Sequence, residues 1–283
     1  NHRLFGVNDR YKLHLFNDSQ GLSWGQDPTQ SGDSFDYDFS DLQIQYNLSE
    51  IQFFAGKMNP EWGNGQSKII LSKKSPSYPL FGFKWSINKK ISIDYFHGSL
   101  KTSLIDTSLS KYYINEWSAG AKSINVSRYI AAHRFIWSPI KNLSIIGTEI
   151  VIYGARGMDS HYLIPLIPFW SLQHYLGDTD NIIMAGEIIY SLTKKIDLYN
   201  TILIDEWAPD KTFDKFNRNW FAYQSGIEIS ELLDESDIVR LEYSWTDSRI
   251  YRHRFEVNNF YSHEYPLGFW AGPHAEELYF SYS

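Results

Sequence analysis

The run 238–246 constrains this chain more than any other stretch. Val239, Leu241, Tyr243 and Trp245 alternate there with Arg240, Glu242, Ser244 and Thr246. Strand side chains point to opposite faces in turn, so the run carries one apolar face and one polar face; a helix does not sort residues this way. The period recurs along the sequence. Residues 90–97 set Ile91, Ile93 and Tyr95 against Ser92, Asp94 and Phe96, and 182–192 set Ile182, Met184, Gly186, Ile188 and Tyr190 against Ile183, Ala185, Glu187 and Ile189. Runs 11–16, 42–48, 50–56, 68–71, 80–87, 112–117, 127–137, 145–153, 198–205, 220–229 and 278–283 complete the set. That makes about a dozen strands of roughly 6 to 11 residues, near the ~9–11 a tilted strand needs to cross a bilayer. Between them, the stretch through Ser34 and residues 59–66 read as loops by their Gly, Asn, Asp and Pro content. The only helix candidate is 163–176, and Pro165 and Pro168 allow at most a short one.

The open question is what the apolar faces touch. Aromatic residues make up 17% of the chain, more than a soluble core requires, and no run of 18 apolar residues exists to form a transmembrane helix. There is no cysteine, hence no disulfide, thiolate metal site or cysteine nucleophile, and a net charge of −7 argues against a nucleic-acid partner. The turns at 193–195 and 233–236 are short, whereas the connections 154–180 and 247–275 are long and aromatic. Short turns on one rim and long loops on the other is the outer-membrane barrel pattern. Tyr95, Trp137, Tyr190 and Trp245 stand on apolar faces where an interfacial girdle would sit. The expectation is therefore an all-β, antiparallel transmembrane β-barrel of the outer-membrane type. It would be one domain spanning 1–283, with long loops and a short plug-like insert at 162–175. A soluble β-sandwich alternates in the same way and is the competing reading.

Several segments carry a resemblance. His133 to Pro139, Gly147 to Gly154 and Gly177-Asp178-Thr179-Asp180-Asn181 resemble the Wzi-type capsule-assembly family, as do Leu198-Tyr199 through Glu206 and the upstream Trp62-Gly63-Asn64-Gly65 with Ile69 to Ser72. Tyr251-Arg252-His253, Leu267-Gly268 and Gly272 to Glu276 extend the similarity in family order. The resemblance implies a protein of the bacterial outer membrane that holds capsular or other surface polysaccharide as a lectin-like anchor and not as an enzyme. Outer-membrane lipid as a second partner, a monomeric state and no cofactor are the accompanying expectations. Ile136 departs from the pattern, because the family usually carries an acid there, which leaves Arg134 without its expected neighbour. The family's barrel has more strands and a helical portion, and the last strand here ends at Ser283 without a terminal aromatic. A partial chain is expected.

The ionisable residues are then placed by parity. Arg134, Glu149, Glu187, Arg240 and Glu242 lie in strands with an apolar opposite face and are expected to point into the lumen, since a midplane Arg or Lys against lipid costs about 2–4 kcal/mol. The side taken by His133 is open. Asp178, Asp180 and Asn181 form an oxygen cluster too small for the usual 6–8 ligands of Ca²⁺ and read as an Asx-rich turn. Asp205 and Glu206 are adjacent on a strand and face opposite ways, which suits neither glycosidase geometry. No catalytic or metal-binding motif is present. The best polysaccharide-binding candidates are Arg249, Tyr251, Arg252, His253, Arg254 and Trp270 in the long loop. Clustered Arg suits carboxylate or phosphate recognition, and aromatic rings give flat surface for sugars. The same loop could instead be folded over the barrel mouth and locked by its own contacts. Two functional alternatives stay open: a diffusion porin, which needs an open lumen, and a soluble glycan-acting enzyme, which needs no membrane.

Overall fold

Strand formation here follows β-branched and aromatic residues alternating along short runs, with polar turns between them. A computed structural model describes residues 2–5, 29–31, 34–38, 41–110, 124–212, 214, 218–232 and 234–283. The expected strands 11–16 and 112–117 lie outside the described residues. Three short strands, β1 (His2–Phe5), β2 (Thr29–Ser31) and β3 (Ser34–Asp38), form a small sheet of their own in the order β1-β3-β2. Of these, β2 lies where the sequence reads as a loop.

The main sheet has eleven antiparallel strands. They are β4 (Leu42–Leu48), β5 (Ile51–Met58), β6 (Tyr78–Asn88), β7 (Ile91–Leu100), β8 (Arg128–Ile140), β9 (Leu143–Gly154), β10 (Asn181–Ser191), β11 (Ile196–Glu206), β12 (Trp220–Ser230), β13 (Ile238–Thr246) and β16 (Ala275–Tyr282). A two-stranded hairpin, β14 (Tyr261–Ser262) with β15 (Tyr265–Pro266), interrupts the sequence between the last two. Each strand pairs with its neighbour in sequence, a plain meander whose edges are β4 and β16; these two are not paired with each other among the described residues. Because the direction reverses at every step, the connections fall alternately on two rims. Those after β4, β6, β8, β10 and β12 are short turns, and those after β5, β7, β9, β11 and β13 are long. This is the expected outer-membrane-type architecture.

The two faces differ as the alternation requires. The outer face carries Ile44, Phe53, Phe81, Phe135, Ile188, Ile202, Leu241 and Phe280, all exposed, as a band running from one edge strand to the other. Near the short-turn rim the same face bears Trp137, Tyr190 and Tyr282, a girdle of amphipathic rings. Tyr95 is a correction: it is buried, its hydroxyl donating to the carbonyl of Tyr162 at 2.9 Å, so it belongs to no girdle.

The inner face is filled by chain. The connection 59–77 folds back against it, burying Trp62, Ile69, Ile70 and Leu71 with Phe96, Ile130, Ile150, Ile183 and Leu203 of the sheet. Residues 68–71 read as a strand in the sequence, but Ile69 and Ile70 are both fully buried and only Leu71 makes a β-bridge, to Trp62. Consecutive residues enclosed on all sides are plug, not one-sided strand. The loop after β13 enters the same space with Ile250, Tyr251, Phe260, Leu267 and Phe269. The two loops hold one another through Ser72 N to Leu267 O at 2.7 Å and Tyr251 OH to Ile69 O at 2.7 Å.

Gly268 sits at their closest approach. A methyl group there would stand 2.5 Å from the carbonyl oxygen of Ile69 and 2.6 Å from the Tyr251 hydroxyl. Gly268→Ala is expected to lower stability by about 1–3 kcal/mol through overpacking, measured by denaturant unfolding. An unchanged midpoint would mean that the loops do not meet there.

Candidate functional site

The inward polar residues form a network around the plug. Glu242, 1% exposed, accepts from the backbone N–H of Gln66 (2.8 Å) and Ser67 (3.0 Å), from the Tyr199 hydroxyl (2.6 Å) and from Gln224 Nε2 (3.1 Å). Glu187 accepts from Asn64 Nδ2 at 2.9 Å, and Arg240 bridges Glu228 and Gln66. Arg134 has a partner after all. Its expected acid is replaced by Ile136, but Asp94 stands opposite it on β7, 2.7 Å away, and the Trp62 ring lies under the guanidinium at 4.9 Å. Asn181 also faces inward, donating to Asn258 O at 3.0 Å, and Asp205 accepts from Tyr251 N at 2.6 Å. Asp205 is the extra residue of a bulge between Ile204 and Glu206, which turns its carboxylate onto the loop.

Glu149 corrects the parity argument. It faces outward, its Oε2 accepting from His133 Nε2 at 3.0 Å and from Phe169 N at 2.8 Å. The same contact resolves His133, which lies on the outer face with its ring 4.2 Å from that of Phe169. Residues 155–180 fold down over this face of the sheet and cover both groups. The segment contains a 3₁₀ turn, Ser160–Leu163, and a seven-residue helix, Phe169–Tyr175. The insert 162–175 is therefore not a plug in the lumen. Asp180 anchors it, taking Arg156 at 2.8 and 2.6 Å and the Tyr162 hydroxyl at 2.6 Å. These bonds hold the Arg156 guanidinium in its charged form against the opposing effect of burial. Asp178 is exposed, has positive φ, and takes Gln173 Nε2 at 2.7 Å and the Arg254 side chain. The three polar residues of this turn thus reach in different directions, to the helix, to Arg156 and Tyr162, and to Asn258.

The loop 247–274 divides its residues between support and surface. Tyr251 supports: it is fully buried, has a φ of 67°, and stacks on Phe260 at 5.5 Å. A bulky residue in the left-handed region is strained by about 1–3 kcal/mol, and the hydrogen bonds to Asp205 and Ile69 hold it there. Arg249 is ion-paired with Asp247 at 3.0 Å, a bond that favours its charged form, and lies over the Trp220 ring at 5.6 Å. His253 is half-buried, and burial favours its neutral form. Arg252 and Arg254 are exposed.

Trp270 is 52% exposed and borders a cleft of about 440 Å³, where its Nε1 donates to both oxygens of Glu277 at 3.2 Å. The cleft is lined as well by Lys68, Lys73, Lys74 and Tyr279. Glu61 pairs with Lys68 (3.3 Å) and Lys73 (2.5 Å). Burial works against the Glu61 carboxylate, but the two ammonium groups outweigh it and hold its pKa below the ordinary value. The cleft combines an exposed indole, an oriented carboxylate and lysine cations, donors and acceptors able to take hydroxyls around an apolar ring face. Of its residues the sequence pointed only to Trp270. The rest come from the plug and from β16, and their meeting depends on the plug folding back against the inner face of the sheet.

No protein-family model matches this chain, and no curated protein matches it. Among solved structures it is similar to Wzi of Escherichia coli, described as an outer membrane protein involved in group 1 capsule assembly and a carbohydrate-binding beta-barrel. The match has a TM-score of 0.57 at 13% sequence identity and covers 89% of this chain and 53% of the other. The chain thus spans about half the length of the structure it resembles, and the likeness is one of fold.

Proposed function

We propose that this chain forms part of an outer-membrane barrel that binds and anchors a surface polysaccharide without acting on it chemically, with the sugar seated on the long-loop rim at Trp270. The exposed Trp270 at the cleft, beside Lys73 and Glu277, is the observation that carries this reading. Arg252 and Arg254 on the same loop add exposed positive charge, which suits an acidic polysaccharide. The broad band of exposed apolar side chains on the outer face supports a lipid environment, because a soluble protein rarely leaves so large an apolar surface open. The carbohydrate-binding, capsule-related role of the similar barrel supports the same assignment. A plug hydrogen-bonded to the inner face favours an anchor over a diffusion pore.

Trp270→Ala is expected to weaken binding of an acidic capsular polysaccharide by tenfold or more, about 1.4 kcal/mol or above. Arg252→Ala combined with Arg254→Ala should weaken it further and reduce its salt dependence. Titration of the detergent-solubilised protein with the polysaccharide measures both. Affinity that is unchanged in both variants would rule out this surface.

A further inference from the structure

The outer face is not apolar throughout. On β7, β8 and β9 it carries His97, His133 and Glu149, three ionisable side chains that hydrocarbon would penalise. Residues 155–180 lie over them, and two of their backbone N–H groups join the hydrogen bonds of this patch. Glu149 takes His133 and the backbone of Phe169; His97 Nε2 meets the Tyr153 hydroxyl at 2.7 Å, and that hydroxyl accepts from Asp159 N at 3.0 Å. The apolar underside residues Tyr162, Phe169 and Leu172 close the patch against Tyr95, Val151, Tyr153 and Ile182. The upper side of the segment has a different composition. Leu163, Ile164, Leu166 (62% exposed), Trp170 and Tyr175 (82% exposed) are exposed there, and exposed apolar residues continue along the outer face of the neighbouring β10 at Ile188.

We infer that residues 155–180 form a membrane-interface element, which hides the polar patch of β7–β9 from lipid and lays its own apolar side in the headgroup–acyl boundary of the leaflet at the long-loop rim. The inference rests on the barrel reading above. Continuity with the apolar band selects lipid as the occupant, and Trp with Tyr on a mainly aliphatic surface is the composition that settles at that depth. With no exposed Lys or Arg on this upper side, the attachment is through apolar contact rather than through lipid phosphate.

The chain has no cysteine, so single nitroxide labels can be placed cleanly. The full chain is reconstituted into phosphatidylcholine–phosphatidylglycerol vesicles with a label at Leu166→Cys, at Leu241→Cys on the bare outer face, or at Lys101→Cys beyond the long-loop rim. Collision with oxygen and with a water-soluble nickel complex then gives the depth of each. The expected result is a Leu166 label shielded from nickel and shallower than the one at Leu241, with the Lys101 label in water. A Leu166 label as open to nickel as that at Lys101, while Leu241 stays in lipid, overturns this inference alone. Spin–spin broadening at Leu166 overturns it in favour of contact between two copies. A Leu241 label in water removes the barrel reading and this inference with it.

Discussion

Glu242→Ala lowers the unfolding free energy by about 3–5 kcal/mol and frees the connection 59–77 from the inner face. The carboxylate accepts from two plug N–H groups and a tyrosine hydroxyl, and from a glutamine amide that also reaches Ser67 O and Ser244 Oγ. Each buried donor left without an acceptor costs about 1–3 kcal/mol, and bonds to a charged group sit at the upper end. The alanine also leaves a cavity between Tyr199 and Gln224 that the surrounding strands cannot close. Denaturant unfolding gives the magnitude, and hydrogen exchange at the amides of Gln66 and Ser67 locates it. Wild-type-like protection of those two amides in the variant would show that Glu242 does not hold the plug. Glu242→Gln should be milder, since it keeps one acceptor oxygen while turning the other position into a donor facing donors.

Asp180→Ala is expected to cost about 2–4 kcal/mol and to release the segment 155–180 from the outer face. Asp180 is 1% exposed and is the common partner of Arg156 and Tyr162. The cost falls below that of a fully enclosed pair because the Arg156 side chain, a third exposed, can turn toward solvent. Release uncovers His133 and Glu149 and exposes Arg156 to trypsin. Faster cleavage after Arg156, with polysaccharide affinity unchanged, is the expected signature. Cleavage at the wild-type rate would mean that the segment is held by its apolar underside alone.

Much of the sheet was legible because its signal is local. In 238–246 the alternation alone gives the strand, its faces and the inward direction of Arg240 and Glu242, and the structure has the same bounds. Some strand neighbours were equally accessible, since a short turn such as 193–195 leaves room only for a hairpin. What was not legible depends on chain folding back from a distance. Glu149 was assigned inward because charge avoids lipid, which holds for a bare sheet. Nothing in residues 143–154 reveals that Phe169, twenty positions on, supplies a donor from outside. Residues 68–71 failed for a related reason: four residues of apolar pattern look alike whether they pair in a sheet or fill a space. The long loop was partly legible. Its Arg and aromatic content marked it as special, but sequence cannot tell Tyr251, which is enclosed, from Trp270, which is open. The cleft beside Trp270 joins residues from opposite ends of the sheet order, and no spacing rule connects Lys73 to Glu277.

The separation of short and long connections onto opposite rims has an evolutionary consequence. In a meander each strand is fixed by backbone bonds to its two neighbours, so a connection can change length without disturbing any pairing. Two of the five long connections, 59–77 and 247–274, are committed to the interior, and 155–180 is committed to the exterior. Within these three, insertions that redirect ligand preference would cost folding least at exposed loop positions such as Arg252 and Arg254.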